Sequence, residues 1–121
     1  MYWMIDSKER VFTGSGEGDV TFADAMALLN ALAGAGALPY RKLFDGRAVQ
    51  SAMSADDLLA LSATIRVYHG QGPVGALAIV GTDEHSDRFA RLLGALAAAD
   101  RPMKMFTNLR QARNWLNRQT G

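Results

Sequence analysis

Two stretches of the sequence carry the residue types from which a small-ligand site is built. Gly14-Ser15-Gly16-Glu17-Gly18 lies between a strand-like and a helix-like segment. There a glycine-rich turn can hold a pyrophosphate against a helix N-terminus. Asp45 ends the next strand-like segment, where a carboxylate would meet a ribose. The glycine spacing departs from Gly-x-Gly-x-x-Gly, Glu17 would repel phosphate, and no Gly-Lys-Ser/Thr follows. The second stretch is Thr82-Asp83-Glu84-His85-Ser86, after the most apolar run of the chain. Open α/β sheets place ligands beyond the carboxyl ends of their strands, and a histidine there titrates near neutrality. Asp45, Gly46 and Arg47 close a neighbouring strand and extend this candidate rim to Thr82, Asp83, His85 and Ser86. The bland alternative is that Asp83, Glu84 and Ser86 cap and solvate a helix start.

Catalysis has less to work with. Gly-x-Ser-x-Gly is absent, and His69 and His85 do not stand at metal-ligand spacing. Asp83, Glu84 and Asp87 are close in sequence, but a hard cation needs oxygens converging from several directions. His69 falls at a helix C-terminus, where the dipole favours it. The reading is no catalytic set, no metal and no cofactor.

Composition narrows the class. The 121 residues are 49% hydrophobic and 21% charged, enough apolar content for one packed domain spanning 1–121. Thirteen Lys and Arg against twelve Asp and Glu leave a net charge of +1, without the broad basic field of a nucleic-acid binder. Arg88, Arg91, Arg101, Arg110, Arg113 and Arg118 tilt the C-terminal half towards the basic. There is no cysteine, hence no disulfide framework, thiolate metal site or cysteine nucleophile. The N-terminus has no basic start, and the longest apolar stretch, Ala25–Leu38, is interrupted and shorter than the roughly 20 residues of a membrane span. The expectation is a cytoplasmic protein without stable membrane insertion.

Elements must position these residues. Tyr2–Ile5 and Arg10–Ser15 read as strands of an antiparallel hairpin, joined by the polar Asp6–Glu9. Thr21 caps a helix with Asp24 at its third position, and Phe22, Ala25, Met26, Leu29, Leu32 and Ala33 form its apolar face until Gly34 and Gly36 end it. Arg41–Asp45 is the third strand, followed by a loop through Gly46 and Arg47 to Met53. Ser54 caps a second helix with the stripe Leu58, Leu61, Ile65 and Tyr68. Gly75–Val80 is apolar throughout, as in a strand covered on both faces. A third helix is expected from about Ser86, a fifth strand over Met103–Thr107, and a last helix capped by Asn108 with Gln111 completing the box. The order β-β-α-β-α-β-α-β-α predicts an α/β fold: a mixed, mainly parallel five-stranded sheet flanked by four helices.

Gly16 to Thr21 entering the first helix, Arg41-Lys42-Leu43-Phe44-Asp45, Ala76-Leu77-Ala78-Ile79-Val80, Phe89-Ala90-Arg91-Leu92-Leu93 and Met105-Phe106-Thr107 followed by Gln111-Ala112-Arg113-Asn114-Trp115-Leu116 occur in an order that resembles the SpoIIAA-like group. That group shares its fold with STAS domains and, in outline, with the core of Sec14 proteins. The resemblance spans nearly the whole chain and implies a mixed sheet flanked by helices. It also implies a partner-binding role, in some members tuned by nucleotides or serine phosphorylation. In the anti-sigma-antagonist branch the phosphoacceptor serine directly follows the strand-ending aspartate. Here Gly46 and Arg47 follow Asp45, and Ser51 and Ser54 are the hydroxyls further along.

The sequence thus predicts a non-catalytic regulatory or binding domain. It would act through protein contact, or by taking a small apolar or anionic ligand near Asp45 and Val80. The alternatives are a nucleotide site at Gly14, Gly16 and Gly18, or lipid or fatty-acid carriage. Tyr2, Trp3 and the methionines offer more apolar surface than a small sheet needs to cover, which predicts a homodimer.

Overall fold

The computed structural model describes residues 1–51, 53–82 and 101–119. Strands β1 (Tyr2–Asp6) and β2 (Val11–Val20) lead to helix α1 (Phe22–Gly34). Strand β3 (Arg41–Ser51), helix α2 (Ala55–Gln71), strand β4 (Leu77–Val80), strand β5 (Met103–Phe106) and helix α3 (Leu109–Asn117) follow. The sheet runs β1-β2-β3-β4-β5 in space, antiparallel between β1 and β2 and parallel at each later step. The fold is therefore α/β with a mixed five-stranded sheet, with three helices among the described residues. The helix expected from Ser86 lies outside them.

The connections explain which helix covers which face. β2 to β3 and β3 to β4 step across the sheet in the same direction. A right-handed crossover therefore puts α1 and α2 on one face. Phe12 packs there against Leu32 and Ala37, while Leu61 and Ile65 of α2 meet Phe22, Ala25 and Leu29 of α1. α3 follows the last strand and is bound by no crossover. It covers the opposite face, where Ala112 and Leu116 pack on Leu43, Ala76, Ala78 and Val80.

Local chemistry fixes the helix starts. Thr21 Oγ1 accepts from Asp24 N at 3.2 Å while Asp24 Oδ2 accepts from Thr21 N at 3.0 Å. Ser54 and Asp57 repeat the same reciprocal box. At α3 only half of the expected box forms: Asn108 Oδ1 accepts from Gln111 N at 3.0 Å.

Two expected boundaries are corrected. β2 does not stop at Ser15, nor β3 at Asp45; both continue and stay paired to Val20 and Ser51. The register shifts between Ser15 and Glu17, where Gly46 and Arg47 of β3 together face Gly16 of β2. The extra residue is a bulge, and it inverts the alternation of β3. Lys42 and Phe44 point to the α1–α2 face before it, and Val49 joins them after it. No helix among the described residues is long and apolar enough to cross a membrane.

Candidate functional site

The glycine-rich run is not a turn. Gly14, Ser15, Glu17 and Gly18 are paired with β3, so their backbone belongs to the sheet rather than to an anion nest. Packing accounts for two of the glycines. A Cβ on Gly16 would stand 2.7 Å from Val49 Cγ2, and one on Gly14 would stand 3.0 Å from Phe44 Cδ2. Phe44 and Val49 thus lean over β2 into space that only glycine leaves. Gly18 has φ +66° and open space around it, the left-handed geometry that glycine adopts without strain. The nucleotide reading loses the loop on which it was built.

The rim at the strand ends is partly assembled. Asp45 pairs with Ser15 on one side and Val80 on the other, two residues before Thr82. Its carboxylate is occupied: Arg47 Nη2 lies 2.7 Å from Oδ2, and Arg47 Nε and N donate to Oδ1 at 2.9 and 3.2 Å. The Arg47 hydrogen bonds, with a further contribution from Arg113 of α3, hold the Asp45 carboxyl below its ordinary range. Thr82 Oγ1 is buried without a hydrogen-bond partner among the described residues. Asp83, His85 and Ser86 lie outside the described residues. Ser54 Oγ is engaged in its cap, and Ser51 closes β3 rather than standing in a loop. Among the described residues, no three His, Asp or Glu side chains form a group able to hold a metal.

A second feature lies between the sheet and the α1–α2 pair. A half-open cavity of about 130 Å³ is lined there by apolar side chains, among them Phe12, Phe44, Leu61, Ile65 and Ile79. Two cations, Lys42 and Arg101, line it as well. Lys42 is only 4% exposed. It sits in β3 between Phe12 and Leu77 in the ladder, so its stem shares the apolar face. Its Nζ donates to Leu38 O at 2.5 Å and Tyr40 O at 2.7 Å, in the connection between α1 and β3. Gly75 closes the same corner, donating to Leu38 O at 2.9 Å, and a side chain there would strike the Pro39 and Tyr40 carbonyls. Arg101 Nε is buried with no acceptor among the described residues. Desolvation, with the Arg101 charge added to it, pushes Lys42 down to about 7. Desolvation alone takes Arg101 down to about 10, so Arg101 stays charged at neutral pH.

Sequence reasoning placed the ligand at the strand ends, took Arg101 only as one of the arginines of the basic C-terminal half, and gave Lys42 no site role. One signal was present: within Arg41–Asp45, Lys42 shares the parity of Phe44 in a strand with apolar residues on both faces. Arg101 carried none, because it stands beside Pro102 in a segment that reads as a break.

No family model, no curated protein and no solved structure matches the chain.

Proposed function

We propose that this chain is a non-catalytic binding domain, of the SpoIIAA-like kind its sequence order resembles, and that it takes a small, largely apolar ligand between the sheet and the α1–α2 pair. The observation that carries this reading is the cavity itself. Native interiors are close-packed, with few voids larger than a water molecule. An apolar cavity of about 150 Å³ stays dry and accepts a benzene-sized guest. The space bounded by Phe12, Phe44, Leu61, Ile65 and Ile79 is close to that size. The rim supports the same reading from the other side, since the Asp45 carboxylate is taken by Arg47 and Ser54 is committed to its cap. Native mass spectrometry of the purified protein, followed by titration with small aromatic and aliphatic compounds, tests it. Ala25→Phe, which fills the space from α1, should abolish binding while the protein stays folded. Binding unchanged in that variant would place the ligand elsewhere.

A second reading concerns partners, and it rests on β1. This edge strand leaves Tyr2 74% and Met4 72% exposed, with Trp3 also open to solvent. A groove of about 300 Å³ beside them, lined by Met4, Asp6, Glu9, Val11, Thr13, Arg41 and Asn117, marks where α3 stops covering the sheet. An unblunted apolar edge is a template for pairing with another strand, and a second copy of β1 supplies one. Light scattering should show a dimer that Met4→Lys dissociates; a monomer at high concentration would remove this reading.

A further inference from the structure

We propose that the Lys42–Arg101 end of this cavity is a carboxylate-recognition site, and that the ligand is a small monocarboxylate whose apolar body is about the size of a benzene ring or a short alkyl chain. The inference rests on the cavity being a ligand site and adds the chemistry of the guest's head group. Its starting point is an imbalance of charge. Two cations line the cavity, and no carboxylate lines it among the described residues. A buried charge is costly unless it is paired and hydrogen-bonded.

Lys42 is half provided for. An ammonium has three donors, and two are spent on Leu38 O and Tyr40 O. The third has no acceptor among the described residues. Arg101 is worse served, with its buried Nε unpaired. The depression of Lys42 to about 7 expresses the same deficit, a cation held in apolar surroundings next to another cation. An entering anion would offset the repulsion between the two cations and give their free donors an acceptor.

The two donors differ in shape, and this selects the anion. A guanidinium offers N–H groups in one plane, matched to the two oxygens of a carboxylate. A single ammonium N–H then completes the contact as a point donor. A phosphate would bring more oxygens than these donors can satisfy into a space of about 130 Å³ that is otherwise apolar. The apolar walls take the body of the guest and remove it from water.

Three probes of similar size separate the possibilities: benzoate, hexanoate and the uncharged benzamide, each titrated calorimetrically into the full chain near pH 6.5. The expected result is that benzoate binds about tenfold or more tightly than benzamide, the range of a charge-assisted hydrogen bond. Arg101→Met should bring that ratio close to one, and Arg101→Lys should restore part of it. Arg101 Nε has no hydrogen-bond partner among the described residues, so neither change removes a bond from that atom. Lys42→Met should also lower the ratio. Equal binding of benzoate and benzamide, or a ratio that Arg101→Met leaves unmoved, would overturn the carboxylate assignment and leave the cavity reading intact. No binding of any of the three would overturn both.

Discussion

The two faces of the sheet are built from the same strands and finished differently. Under α3 the central side chains are small and the face is closed over β3 and β4: Ala78 and Ala112 are fully buried, with Leu43, Val80 and Leu116 around them. Phe106 and Trp115 seal the border, their ring centroids 5.8 Å apart and the planes tilted by 53°. Under α1 and α2 the side chains are larger, yet they leave a cavity and enclose two cations. Among the described residues, both faces carry buried apolar clusters, and it is the α1–α2 face that also holds a buried cation, Lys42.

That contrast can be broken in several ways. The largest effect concerns pH. The folded pKa of Lys42 is depressed to about 7 from 10.5. Between those values the unfolded chain binds more protons than the folded one, so stability rises with pH across the window. At about 1.4 kcal/mol per unit of displacement the gain amounts to a few kcal/mol. Urea denaturation at pH 6.5 and 9.5 should show it, and Lys42→Met should flatten it. Falling stability over that range would contradict a buried, poorly compensated ammonium.

Overpacking separates the faces directly. Ala112→Leu, on the closed face, should cost about 1–3 kcal/mol or more. Ala25→Leu adds the same atoms beside the cavity and should be close to neutral, within about 0.5 kcal/mol. Equal losses in the two variants would mean that the faces are packed alike. Gly16→Ala comes next. Its Cβ would meet the β-branched Val49, which has little rotamer freedom to yield. A loss of about 1–2 kcal/mol in thermal denaturation is expected, whereas a neutral outcome would restore a looser backbone at that position. The smallest effect belongs to the rim. A double-mutant cycle on Asp45 and Arg47 should show little coupling, as for other solvent-accessible ion pairs. A strong coupling would mark the pair as part of a site.

Much of this architecture is legible in the sequence, and the reasons are local. Thr21 with Asp24 and Ser54 with Asp57 announce their helices because the caps are satisfied within four residues. Leu77–Val80 announces a strand buried on both faces because nothing polar interrupts it. Misreading begins where a residue answers to a distant partner. Gly14 and Gly16 look like a turn to any local rule, and they are strand residues because Phe44 and Val49 occupy the space above them. The continuation of β3 past Asp45 depends on a bulge at Gly46 and Arg47 that only the pairing with β2 reveals. Lys42 follows the same pattern: its charge suggests solvent, while its strand parity and its bonds to Leu38 and Tyr40 bury it.

The division between a closed face and a receptive one is tested most directly by mapping amide and methyl chemical shifts while benzoate is added. The account predicts that perturbations gather on Phe12, Lys42, Leu61, Ile65 and Ile79 and spare Ala78, Ala112 and Leu116. Perturbations centred under α3, or none at saturating benzoate, would contradict it.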